Sequence, residues 1–148
     1  MSKYVVREEL FIKAPANLLF DLVADPRQHP HLDGSGTVRS ADIEAPERLS
    51  LGATFSMGMR MGLPYRMGST VVEFEEGKRI AWRPSAGQIW RYTFTPTDGG
   101  TVVAEEWDAR GSRLRLLFVL AGFPSRNRRG MAATLERLRE ITETPTEL

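Results

Sequence analysis

Six short runs of strand-forming residues constrain the fold more than any other feature of this sequence. They lie at 37–44, 52–61, 65–75, 78–84, 88–96 and 101–109. Turn signals such as Glu76-Gly77-Lys78 and Asp98-Gly99-Gly100 separate them. Since no connection is long enough for a crossover helix, we expect consecutive strands to pair antiparallel.

The two ends of the chain predict one more strand and several helices. Residues 4–13 are rich in β-branched and aromatic side chains and predict a first strand. After Ala14-Pro15 a short amphipathic helix is expected, which ends near Asp25 because Pro26 disfavours a helical conformation in the residue before it. A second short helical turn is expected from that proline.

A long helix is predicted near the end of the sequence. It begins or kinks at Pro124, and the apolar segment 114–123 is expected to lead into it as helix. Its apolar stripe faces away from a charged face and consists of Met131, Leu135, Leu138 and Ile141.

Composition narrows the class of protein. The length of 148 residues is typical of one domain, and we expect residues 1–148 to form a single one. The 20 basic residues nearly balance the 19 acidic ones, so nothing predicts a nucleic-acid partner. Cysteine is absent, and no cofactor or metal is expected. The acidic N-terminal residues and the absence of a long apolar run predict a cytoplasmic protein.

The element order β-α-α-β6-α predicts an α+β fold in which a curved, seven-stranded antiparallel sheet surrounds a long C-terminal helix. A helix about 10 Å across cannot cover seven strands spaced about 4.8 Å apart, which predicts a gap between helix and sheet. Alternation in strands 52–61 and 88–96 gives each an apolar face, formed by Phe55, Met57, Met59 and Met61 in the first and by Trp90, Tyr92 and Phe94 in the second. Such faces suit a deformable apolar cavity, and they also suit a plain core, which the pattern alone favours.

Several motifs resemble a known superfamily over almost the whole chain. The stretch from Phe11 to Gly36 is similar to the N-terminal signature of START-like helix-grip proteins, the SRPBCC superfamily, and most similar to its polyketide cyclase/dehydrase-like branch. The motifs that carry the resemblance are Ala14-Pro15, Leu19-Phe20-Asp21-Leu22-Val23-Ala24-Asp25-Pro26, His29-Pro30, Asp33-Gly34, Leu51-Gly52-Ala53-Thr54-Phe55, Val71-Val72-Glu73-Phe74-Glu75, Arg79-Ile80-Ala81-Trp82 and Gly99-Gly100-Thr101-Val102-Val103.

The resemblance implies the helix-grip fold, with a cavity between the sheet and the C-terminal helix for a lipid, a polyketide or another hydrophobic molecule. Some members of the superfamily cyclise or dehydrate polyketides, others carry ligands, and no catalytic residue is common to all, so the enzyme question stays open. The predicted ligand-contacting residues are Phe20, Phe55, Met57, Met59, Met67, Trp82, Trp90, Tyr92, Phe94, Trp107, Met131 and Leu135.

Three residues are weak candidates for chemistry. Glu105 shares a strand face with Trp107, which predicts that it points inward, although pairing with an arginine across an exposed face is an alternative. Tyr92 lies on the apolar face of its strand. His29 belongs to the His29-Pro30-His31-Leu32-Asp33 cluster, which fits either an exposed turn or a polar contact to a ligand.

An arginine-rich segment predicts one further partner. Six arginines lie between residues 110 and 129, without an acid among them and beside several leucines. A solvated basic rim and a transient contact with an anionic membrane both fit this pattern. For the chain as a whole, three hypotheses remain: a carrier of a small hydrophobic molecule, a cyclase- or dehydratase-like enzyme, and a module with a filled core.

Overall fold

The computed structural model describes residues 3–34, 38–61 and 63–143, and it confirms the predicted α+β helix-grip fold. All seven strands form one antiparallel sheet in the order β1-β7-β6-β5-β4-β3-β2. The strands are β1 (Val5–Ile12), β2 (Val38–Glu44), β3 (Thr54–Met61), β4 (Leu63–Glu75), β5 (Arg79–Pro84), β6 (Ile89–Thr97) and β7 (Gly100–Asp108). The helices are α1 (Ala16–Ala24), α2 (His29–Leu32), α3 (Arg115–Leu120) and α4 (Phe123–Glu143), with a 3₁₀ turn at Pro26–Gln28.

Local chemistry explains where the short helices begin and end. Pro15 is the N-cap of α1, and Asp25 adopts an extended conformation immediately before Pro26, as the proline requires. The Asp25 carboxylate accepts a hydrogen bond of 3.0 Å from the Arg27 backbone N–H and so caps the 3₁₀ turn. The predicted second helical turn therefore exists, and it leads directly into α2.

Register sorts the side chains of the sheet onto two faces. Tyr92 of β6 lies opposite Glu105 of β7, and Trp90 lies opposite Trp107, so these four side chains share the inner face. On the outer face, the Arg91 guanidinium pairs with the carboxylates of Glu73 and Glu106.

Helix α4 covers only one edge of the inner face. It packs against β1 and β7, where Met131 joins a buried cluster with Val6 and Trp107. At the other end of the inner face, α1 packs against β6, and the Phe20 ring lies edge-on to Phe94 at 5.6 Å. Helix α4 therefore does not pack closely on the inner surface of β3, β4 and β5. A gap of this kind is what the width of one helix, compared with that of seven strands, predicts.

Among the described helices, none is both long enough and apolar enough to span a lipid bilayer.

Candidate functional site

A cavity of about 580 Å³ lies between the inner face of the sheet and the N-terminal half of α4. This volume lies within the range typical of sites for small organic ligands. Its wall is mainly aromatic and sulfur-containing, and includes Phe55, Met57, Met59, Tyr65, Met67, Trp82, Trp90, Tyr92, Trp107, Phe118, Phe123 and Met131. Because methionine is flexible and polarisable, such a wall can adapt to ligands of different shape.

Aromatic rings form a continuous surface along one side of the cavity. The His29 ring stacks on Trp82 with the ring centroids 5.1 Å apart, and the Trp82 and Tyr92 centroids are 5.7 Å apart. Phe55 meets the Trp82 ring edge-on at 5.8 Å. These contacts hold the indole of Trp82 in place, so the surface offered to a ligand is already formed without one.

Glu105 is the buried acid of this wall. Only 4% of the residue is exposed, and its inward direction is the one that alternation predicts. Burial raises the pKa of the Glu105 carboxyl to about 8, although the hydrogen bond from Tyr92 favours the charged form and opposes the rise. Burial also raises the pKa of the Tyr92 phenol well above its usual value, and the neighbouring carboxylate adds to this. Near neutral pH the pair is therefore largely uncharged.

Unpaired polar atoms concentrate in the same wall. Among the described residues, three buried side-chain polar atoms lack a hydrogen-bond partner: Gln88 Oε1, Glu105 Oε1 and Asn127 Nδ2. All three residues line the cavity. A buried polar atom without a partner costs about 1–3 kcal/mol, so a ligand or water that pairs with these atoms gains stability from doing so. The arrangement offers a guest molecule an acceptor on Gln88, a donor on Asn127, and the Glu105 carboxyl, which can donate when protonated and accepts when ionised.

His29 is held in the wall as a neutral ring. Its Nε2 lies 2.8 Å from the Val23 carbonyl oxygen, which assigns the ring proton to Nε2. Burial is the main cause that lowers the pKa of the imidazole, and the hydrogen bond to Val23 opposes it. His31 is exposed and does not line the cavity. No group of three or more histidine, aspartate or glutamate side chains within the described ranges is arranged as a metal site.

Charged and polar residues from the C-cap of α2, from β4 and from α4 border the cavity. They include Asp33, Tyr65, Arg126 and Arg129. Gly34 also borders it, and its backbone N–H donates a 2.9 Å hydrogen bond to the Thr134 hydroxyl of α4. A Cβ on Gly34 would lie 2.4 Å from the Ala133 Cβ, so only glycine fits this contact between the α2 end and α4.

The structure places nine of the twelve predicted ligand-contacting residues at the cavity wall. The other three, Phe20, Phe94 and Leu135, lie in the core, because α1 and the C-terminal half of α4 cover that end of the sheet. His29, Tyr92 and Glu105 all line the cavity. Sequence reasoning missed Gln88, Asn127, Phe118 and Phe123. Gln88 continues the even-numbered series of Trp90 and Tyr92, and Asn127 precedes Met131 by one helical turn. Strand alternation and helical spacing could therefore have predicted that both residues face the cavity.

A seven-stranded sheet that holds a ligand-sized cavity against its C-terminal helix defines the helix-grip class of proteins. Within that class, the family model described as "Polyketide cyclase / dehydrase and lipid transport" matches residues 4–143, and the chain belongs to this family.

One relative and two solved structures are similar to this chain. An uncharacterized protein of Mycobacterium tuberculosis is 37% identical over 139 residues, which is 90% of this chain and 62% of the relative. The chain thus spans about three fifths of the length of that protein. Protein CV1439 of Chromobacterium violaceum has the same fold, with a TM-score of 0.72, 20% identity, and coverage of 95% of this chain and 99% of that one. DynU16, described as a protein in the dynemicin biosynthetic locus, matches with a TM-score of 0.63 and 19% identity over 95% of this chain and 48% of its own.

Proposed function

We propose that the protein binds a small, mainly apolar molecule in the cavity between the sheet and α4. The observation that carries this proposal is the cavity of about 580 Å³, whose wall is built from aromatic and methionine side chains. Family membership supports it, because the family description names polyketide chemistry and lipid transport. The position of DynU16 in a biosynthetic locus is consistent with a natural-product-like ligand. A cavity of this size also argues against a module with a filled core.

The ligand carries at least one polar group. Gln88, Glu105 and Asn127 each present a buried polar atom without a partner in the cavity wall, and a purely hydrocarbon guest would leave all three unsatisfied. A hydroxyl group fits them best, because it can donate to Glu105 or Gln88 and accept from Asn127. A ligand carboxylate can accept a hydrogen bond from the protonated Glu105 carboxyl, but the two groups would repel each other above about pH 8, where Glu105 ionises.

Tryptophan fluorescence tests the proposal directly, because all three tryptophans of the sequence line the cavity. We expect 1-dodecanol to change the emission in a saturable way, and dodecane to bind more weakly. Ala86→Phe adds a ring to the cavity wall and should weaken binding, whereas Thr95→Phe adds the same ring on the exposed outer face of β6 and should not. Equal binding by both variants, or no saturable response, would contradict the proposal.

Native mass spectrometry of the gently purified protein would identify a natural ligand.

The second candidate is an enzyme of the cyclase or dehydratase type. The observation that favours it is the Glu105 carboxyl, whose pKa of about 8 suits proton transfer near neutral pH, hydrogen-bonded to Tyr92 beside the cavity. Once a substrate is known, Glu105→Gln and Tyr92→Phe should abolish its turnover while binding measured by tryptophan fluorescence remains. Turnover that is unchanged in both variants would remove the assignment of Glu105 and Tyr92 to the reaction.

A further inference from the structure

We propose that the outer face of α3, together with the arginines around it, docks onto the surface of an anionic lipid bilayer. This inference goes beyond ligand binding: it concerns a second surface, on the opposite side of α3 from the cavity.

Three leucines on α3 face solvent. Leu116, Leu117 and Leu120 are 53%, 58% and 76% exposed. Their spacing of three and four residues places them on one side of the helix. Phe118, on the other side, is buried against Trp107 and lines the cavity. The helix therefore has apolar side chains on both faces, and of the two only the inner face is buried by the described residues.

The charged residues in the sequence segment that contains these leucines are all basic. Between Asp108 and Glu136 the sequence contains six arginines and no acid. Arg110 pairs with Asp108 and Arg128 pairs with Glu8. Within the described ranges the other four have no ion-pair partner: Arg113, Arg115, Arg126 and Arg129.

Exposed leucines in a segment that also carries arginines without an ion-pair partner match the physical requirements of a bilayer interface. The leucines can enter the boundary between headgroups and acyl chains, while the arginines stay at the level of anionic headgroups. Each cation close to an anionic surface contributes about 1 kcal/mol, which corresponds to about fivefold in affinity. The charge of the patch selects an anionic bilayer as occupant over a second copy of this chain, because two such patches would repel each other.

The position of the patch links docking to the cavity. Phe118 and Phe123 stack with their centroids 5.0 Å apart and both line the cavity, so α3 is a wall between the ligand site and the bound surface. Docking would bring the α3 side of the cavity against the lipid phase, from which an apolar ligand could enter. This last step rests on the proposed ligand binding, whereas the docking itself does not.

Co-sedimentation with vesicles tests the docking. We expect the full chain to bind vesicles of mixed phosphatidylcholine and phosphatidylglycerol, more weakly as salt rises, and to bind pure phosphatidylcholine poorly. Leu116→Ser/Leu117→Ser/Leu120→Ser should weaken binding at least about tenfold through the lost apolar contact. Arg113→Gln/Arg115→Gln, at two exposed arginines that do not line the cavity, should weaken binding to the anionic vesicles by about twentyfold, at about fivefold for each charge. Leu51→Ser is the matched control, since Leu51 is 66% exposed outside the patch, and it should bind as the parent does.

Three outcomes would overturn the proposal. They are no binding to either vesicle, undiminished binding by the triple leucine variant, and a dimer in analytical ultracentrifugation that the same variant dissociates. Circular dichroism verifies that each variant is folded. Tryptophan fluorescence with dodecanol in the absence of vesicles reports on the cavity alone, so failure of docking and failure of ligand binding remain distinguishable.

Discussion

Replacing Glu105 by glutamine removes the ionisable group buried in the cavity wall, and we expect this change to alter how stability depends on pH. Glutamine has nearly the same shape, so it can keep the hydrogen bond with Tyr92. Burial raises the pKa of the carboxyl from 4.5 to about 8 in the folded chain. The folded state thus binds this proton more tightly than the unfolded state does.

The sign and size of the effect follow from proton linkage. Below pH 4.5 both states hold the proton, and the carboxyl adds no pH dependence. Between pH 4.5 and 8 only the folded state holds it, so the free energy of unfolding falls by about 1.4 kcal/mol for each pH unit. At pH 7 the accumulated loss is about 3 kcal/mol. The Glu105→Gln variant lacks this pH-dependent loss and should become the more stable form as the pH rises.

Urea unfolding measured by circular dichroism between pH 5 and pH 8.5 checks this prediction. The difference between the parent and Glu105→Gln should change steadily with pH, in favour of the variant. Glu73→Gln is a suitable control, because the hydrogen bond from Arg91 lowers the pKa of Glu73, which is ionised in both states throughout this range. Parallel profiles for the parent and Glu105→Gln would refute the reasoning, since they would mean that Glu105 ionises normally.

Three further substitutions test other parts of the structure. Gly34→Ala should lower the free energy of unfolding by about 1–3 kcal/mol in urea, because the new Cβ would overlap Ala133. In the folded parent, burial lowers the pKa of the His29 imidazole below 6.5. The parent should therefore lose stability relative to His29→Gln as the pH falls from 7 to 5. Arg91→Gln removes the partner of the half-buried Glu106 carboxylate and leaves Glu73 only its longer pair with Arg79, so it should lower the melting temperature. The exposed pair of Arg7 with Glu9 provides a control, for which Arg7→Gln should cost less than about 1 kcal/mol.

Much of the fold was predictable because its determinants are local. Glycine-containing turns and period-two alternation locate each strand to within a few residues, and proline fixes the end of α1. Gly77 and Gly99, with φ of 74° and 83°, lie in the turns that precede β5 and β7, where other residues would be strained. The inward set of Phe55, Met57, Trp90 and Tyr92 follows from the same alternation.

The remainder of the site depends on distant contacts that a local pattern does not contain. Phe94 shares the face of Tyr92 yet lies in the core, because α1 covers its part of β6. Helical spacing places Asn127 on the same side of α4 as Met131, but this side faces the cavity only because α4 packs along β1 and β7. The high pKa of Glu105 depends equally on what surrounds it in space. Alternation gave the direction of this side chain, and only the packed structure shows how completely it is buried.

The pairing of β1 with β7 has a consequence for how the molecule assembles. Val5 lies opposite Asp108, about a hundred residues away along the chain, and α4 follows later still. On a ribosome, the methionine-rich hairpin of β3 and β4 emerges long before the elements that complete the cavity. A nascent chain therefore exposes this apolar surface until β7 and α4 arrive, and closure of so long a loop favours slow folding. Binding competence is consequently among the last properties that the growing chain acquires.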